Sequence, residues 1–154
     1  MNIDVISKPA FSVIGKEGST ADGEGFVQRL WAEANAHFVE IAHLAKRDEN
    51  RIPVGFWGAM TDFSRAFLPW EDGFCRGLYL AGVECADDAE APEGWVKWTI
   101  PGFQYLRAEC SCQTAFADML QYLKEQGLEL SGAVQDFTDP KNGQNYMLFP
   151  TKRM

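Results

Sequence analysis

Only two stretches of this chain repeat their apolar residues at helical spacing, and the sequence around them is cut into short apolar runs by Pro and Gly. From Phe26, the residues Leu30, Trp31, Ala34, Phe38, Ile41 and Ala45 follow in steps that share one face. They predict a helix of about five turns, capped by Thr20 or Asp22 and barred from continuing by Pro53. A second face, Phe116, Met119, Leu120 and Leu123, predicts a helix started by Ser111 and stopped at Gly127. The remaining runs read as strands. Ile3 to Lys16 is interrupted by Pro9, giving two short pieces or one bent edge strand. Gly55 to Asp62 and Leu78 to Cys85 follow, joined by a long aromatic loop. Trp95 to Ile100 and Phe103 to Cys110 flank Pro101-Gly102, a tight-turn pair that predicts a hairpin. Two closing strands fit around Asp139-Pro140-Lys141-Asn142-Gly143. The order is β(β)αββ followed by ββαββ, a duplication of elements without a residue-level repeat. Fold class is therefore α+β: two pseudo-symmetric units, an antiparallel sheet and two main helices, in one domain spanning 1–154.

A chain of 154 residues can hide about 69% of its unfolded surface, enough for a core without disulfides or metal. Hydrophobic residues at 46% and charged residues at 23% match globular averages and exclude disordered, collagen-like and coiled-coil chains. Twenty-two acidic against 14 basic residues give a net charge of −8, which repels a phosphate backbone, so direct nucleic-acid binding is not expected. The start Met1-Asn2-Ile3-Asp4 shows no export signal, and no window approaches a membrane span. A cytoplasmic protein with Cys75, Cys85, Cys110 and Cys112 as reduced thiols is expected, with no membrane partner.

Familiar catalytic signatures are missing. His37 and His43 are six apart on a helix and point to different faces, and Cys110-x-Cys112 lacks a second pair, so no metal is expected. Gly23-Glu24-Gly25 opens a helix, but Gln28 stands where a dinucleotide motif needs its third glycine, and no cofactor is expected. Asp87 and Asp88 read as a solvated turn. Trp31 and Phe38 fit the helical core stripe. The aromatic content, five Trp, four Tyr and eleven Phe, exceeds what packing obviously needs. Phe56, Trp57, Trp70, Tyr79, Trp98, Tyr105, Phe137 and Tyr146 fall on strands or their loops, where rings not used in the core would line a pocket for bulky apolar molecules.

Three stretches in order, Gly77-Leu78-Tyr79-Leu80-Ala81-Gly82-Val83-Glu84, Pro92-Glu93-Gly94-Trp95 and Ile100-Pro101-Gly102-Phe103-Gln104-Tyr105-Leu106, with the closing Tyr146-Met147-Leu148-Phe149-Pro150, carry a family likeness. The chain resembles the GyrI-like effector-binding domain, the small-molecule module also fused to the DNA-binding halves of AraC-type and MerR-type multidrug regulators. The resemblance implies two β-α-β-β units and an aromatic groove between them for hydrophobic, often cationic ligands. It also implies a glutamate followed two residues later by an aromatic on the strand after the second helix. Gln135 and Phe137 match those positions, so a neutral amide stands where relatives carry the ligand-facing charge. Asp136 should face the other side of that strand. Some relatives resemble hydrolases of cyclopropane-bearing natural products that use a pocket tryptophan and glutamate; Trp57 and Glu84 are the candidates here.

Three functions follow from this reading. The first is a stand-alone binder or sensor of hydrophobic or amphipathic small molecules, cationic ones included. The second is a hydrolase of hydrophobic xenobiotics. The third, resting on the acidic charge, is a protein-interaction module of the gyrase-inhibitor type, and a homodimer or other protein partner stays open.

Overall fold

The structure, a computed structural model, describes residues 2–110 and 114–154. Its elements run β1 (Ile3–Lys8), β2 (Phe11–Ser19), α1 (Phe26–Ala36), β3 (Phe56–Thr61), a single turn α2 (Glu71–Phe74), β4 (Leu78–Cys85), β5 (Val96–Ile100), β6 (Phe103–Glu109), α3 (Ala115–Glu125), β7 (Gln135–Thr138) and β8 (Asn145–Arg153). All eight strands join one antiparallel sheet in the order β1-β6-β8-β7-β3-β4-β2-β5. Folding that order about the β7·β3 seam lays β7 on β3, β8 on β4, β6 on β2 and β1 on β5. The two ββαββ units are thus related by a pseudo-two-fold axis, and each lends its first strand to the other.

That exchange corrects the hairpin reading of Pro101-Gly102. β5 and β6 do not pair with each other; they pair with β2 and β1. The register passes unbroken through both links: Ile3 pairs with Ala108, Lys8 with Phe103, Phe11 with Ile100 and Gly15 with Val96. Residues 3–15 and 96–108 are one long antiparallel ribbon, bent where Pro9-Ala10 crosses Pro101-Gly102. Neither proline has an N–H to give the ladder, so pairing lapses there and the ribbon can turn from one half-sheet to the other. Gly102 makes the crossing tight, since a Cβ on it would sit 3.2 Å from the Ala10 nitrogen and 3.3 Å from the Lys8 carbonyl oxygen.

The first helix is shorter than its apolar stripe. α1 ends at Ala36 and the chain continues through 3-10 turns at Phe38–Glu40 and Ala42–Leu44. The three-residue period of those turns still keeps Phe38, Ile41 and Leu44 on one side, while β-branched Val39 and Ile41 disfavour further α-helix. Thr20 and Asp22 do not cap α1. They belong to a preceding 3-10 turn closed by Ser19 and Asp22 in a capping box, and α1 begins at Gly25 with φ +79°. Ser111 lies outside the described residues. At the other end α3 stops as expected: Gly127 (φ +67°) donates to the Lys124 carbonyl and Leu128 to that of Leu123, a Schellman closure.

Strand alternation sorts the side chains into three cores. Inward from the bent sheet, Trp57, Leu80, Trp98, Phe103, Tyr105 and Leu148 from both units pack together. Outward, α1 and the 3-10 turns cover Ile14, Tyr79, Ala81 and Val83 of the first unit. α3 covers Leu106, Ala108 and Phe149 of the second. Much of the aromatic surplus is therefore spent inside the sheet. Among the described residues, no helix is long and apolar enough to cross a membrane.

Candidate functional site

The β7·β3 seam is where the two units meet, and open space remains on both of its faces. On the outer face, a cleft of about 320 Å³ runs between α1 and the end of the second unit. Val27 and Trp31 of α1 form one wall, Gly58 and Tyr79 the floor, and Asp136, Thr138, Asn145 and Tyr146 the opposite wall. Gly58 makes the floor possible. A Cβ there would lie 2.0 Å from the Tyr79 Oη, so only glycine lets the ring cross the seam. The Trp31 indole N–H donates to the Tyr79 oxygen at 2.9 Å, which fixes both rings and leaves the phenol its own proton to donate. Burial, reinforced by the Asp136 charge, holds that phenol protonated far above its ordinary range.

Asp136 is the cleft's titrating group. It faces Gly58 across the seam, and among the described residues no donor or cation pairs with its carboxylate. Burial pushes its pKa up to about 6. A carboxylate that is poorly solvated, unpaired and walled by rings is an unfavourable place to leave negative charge, and a cation entering the cleft would relieve it.

Gln135, expected on the pocket wall, is turned the other way. It is 1% exposed, and its amide accepts from the Met60 N–H at 2.8 Å while donating to the Met60 and Ala133 carbonyls at 3.2 Å each. On the inner side Phe137 sits between Trp57, tilted against it with centroids 4.7 Å apart, and Tyr146, stacked on it at 6.1 Å, and Phe137 and Tyr146 also border the outer cleft. Trp98 and Tyr105 are core. The Trp98 N–H donates to Glu17 at 2.7 Å, and the Tyr105 hydroxyl is buried with no partner among the described residues. Phe56 packs edge-on against Phe38. Trp70 donates to the Leu78 carbonyl at 3.0 Å and, with Met60, Phe74, Phe116 and Val134, lines a smaller apolar pocket of about 170 Å³. Met60 and Val134 lie two residues beyond Gly58 and Asp136 on the same face.

On the inner face, Trp57 and Glu84 do come together. The Trp57 indole N–H donates to Glu84 Oε1 at 3.1 Å, and the Lys8 ammonium lies 3.2 Å from the same carboxylate. They border a separate cavity of about 340 Å³ that also includes Lys46, Arg107, Phe137 and Leu148. Among the described residues, no group of three or more His, Cys, Asp or Glu is placed to hold a metal ion.

Solved structures share this architecture. SAV2435 bound to tetraphenylphosphonium superposes with a TM-score of 0.66 at 14% identity, covering 99% of this chain and 94% of that one. The EcmrR C-terminal domain superposes at 0.65 and 11% identity over 99% and 98% of the two chains, and the match in the EcmrR–DNA complex covers 58% of that chain. A hydrolase from Listeria innocua superposes at 0.51 and 13% identity, over 98% and 92%. No family model and no curated protein matches the chain. At these identities the likeness is one of fold, and it is the two-unit α+β architecture that the GyrI-like resemblance implied.

Proposed function

We propose that the chain binds hydrophobic organic cations in the outer cleft, with Asp136 as the counter-charge and Trp31, Tyr79 and Tyr146 as the ring surfaces. The observation that carries this reading is the Asp136 carboxylate, which has no partner among the described residues and whose burial raises its pKa. Aromatic faces attract cations and a poorly hydrated carboxylate adds a directional charge, so a bulky cation with little hydration to lose is the ligand that gains most. The net charge of −8 favours its approach, and a solved protein of the same fold holds tetraphenylphosphonium. Tetraphenylphosphonium titrated against tryptophan fluorescence tests the idea. Saturable binding that weakens about tenfold or more in Asp136→Asn is expected. Equal affinity in the two proteins would overturn the role of Asp136, and no saturation would overturn the site.

A hydrolase acting through Glu84 is the second reading, favoured by the Trp57–Glu84 contact. It ranks lower because the Trp57 N–H and the Lys8 ammonium already occupy that carboxylate, whereas a general base needs a lone pair free to face its water. Turnover of a hydrophobic ester or strained-ring substrate, abolished by Glu84→Gln and kept in Asp136→Asn, would reverse the ranking.

A further inference from the structure

We infer that the inner cavity is a second ligand site, built for a flat aromatic anion such as an aryl carboxylate. Its charge is opposite to that of the outer cleft. Three basic side chains, Lys8, Lys46 and Arg107, border it against the single acid Glu84, in a chain whose net charge is −8. Lys8 is matched by Glu84, and Arg107 is bound through two nitrogens to Asp4 at 3.0 and 2.6 Å. Lys46 is not matched. Its backbone N–H is fixed to the Glu84 carbonyl at 2.8 Å, which holds the residue beside the cavity, and its ammonium has no carboxylate partner among the described residues. The remaining lining is apolar: Ile6, Val54, Trp57, Phe137 and Leu148.

The shape agrees with the charge. At the floor the half-buried Phe137 ring lies against the buried Trp57 indole, centroids 4.7 Å apart and tilted by 43°, and Gly55 leaves room for both. A Cβ at Gly55 would meet the Phe137 ring at 2.4 Å and the Trp57 Nε1 at 2.9 Å. A planar ring system can lie against the half-buried Phe137, Ile6 and Val54 while its carboxylate reaches the exposed Lys46 at the mouth. An anion held at that mouth gains from an ammonium not already neutralised, and Lys46, without a carboxylate partner among the described residues, meets that condition.

Two probes test the site: 2-naphthoate, and 2-naphthylmethanol as its uncharged analogue. The expected results are saturable quenching of tryptophan fluorescence by 2-naphthoate and an affinity about tenfold above that of the alcohol. Lys46→Met, an exposed replacement that keeps the stem, and Lys46→Glu should both weaken naphthoate, the second more, and leave tetraphenylphosphonium binding unchanged. Naphthoate should also bind with undiminished affinity when tetraphenylphosphonium is saturating. Equal affinity for naphthoate and the alcohol, indifference to both Lys46 variants, or displacement by tetraphenylphosphonium would each overturn the inference. The proposal does not depend on the outer cleft: failure of tetraphenylphosphonium to bind would count against that cleft alone.

Discussion

In the proposed site, Asp136 sets stability against binding. In the unfolded chain its carboxyl ionises near the ordinary value of 3.8, whereas in the fold it does so only at about 6, so the folded state holds the proton more tightly. Its unfavourable contribution is therefore absent below the unfolded value, grows as pH rises from there to about 6, and is complete above. Asp136→Asn removes that contribution. We expect the variant to be more stable than the parent at pH 8 by on the order of 2 kcal/mol and equally stable at pH 3, as read from urea midpoints. The parent's affinity for tetraphenylphosphonium, a permanent cation, should rise as pH passes upward through about 6 and be flat in Asp136→Asn. Gly58 is the matching steric position. Gly58→Ala drives a methyl into the Tyr79 hydroxyl, and about 1–3 kcal/mol of destabilisation with loss of the Trp31–Tyr79 hydrogen bond is expected. Tryptophan emission and thermal melting check it. Strand alternation put Gln135 and Asp136 on opposite faces and the resemblance gave the ligand side to Gln135, whereas in the fold it is Asp136 that borders the outer cleft. That is fixed by β7 pairing with β3, so that Asp136 lies opposite Gly58, a contact between residues far apart in the chain. Trp31 was hidden for a different reason: a ring on a core-facing helical stripe looks the same in sequence whether its edge meets a neighbour or an open cleft.

β7 is only four residues long, and its last rung on the seam is a side chain. Backbone pairing of β3 with β7 ends at Gly58 and Asp136, and the Gln135 amide then takes up the N–H and the carbonyl of Met60 as a neighbouring strand would. A carboxylate can replace only half of this. Gln135→Glu keeps an acceptor for the Met60 N–H but sets negative charge against the Met60 and Ala133 carbonyls in a buried place, where about 1–3 kcal/mol should be lost. Gln135→Glu should thus destabilise the protein without strengthening cation binding, as denaturation and tetraphenylphosphonium titration together would show. Elements whose signal is local were legible: β4 has the bounds that its apolar run predicts, and α3 ends at its glycine. The Pro101-Gly102 pair misled because its local chemistry suits a hairpin equally well. What decides against the hairpin is that β1 and β2 offer a longer ladder, and no window around residue 101 contains them.

At the scale of the whole molecule, the exchanged strands make the halves depend on each other. The first unit lacks the edge partner of β2 unless β5 arrives from the second, and the second lacks the edge partner of β6 unless the first supplies β1. The inner core likewise draws Trp57 and Leu80 from one unit and Phe103, Tyr105 and Leu148 from the other, so separating them would expose large aromatic faces on both sides. Neither half can therefore melt while the other keeps its packing. Urea transitions followed by far-UV circular dichroism and by tryptophan emission should coincide in a single step. The ribbon also joins stretches separated by roughly ninety residues, and closing so long a loop before its contacts can form places refolding in the millisecond-to-second range rather than microseconds. Two separated transitions would mean that the units stand alone and that the ribbon merely tethers them. The outer cleft would then lie between independently moving bodies, and a Gly102→Ala replacement at the crossing would shift only one of those transitions instead of both probes together.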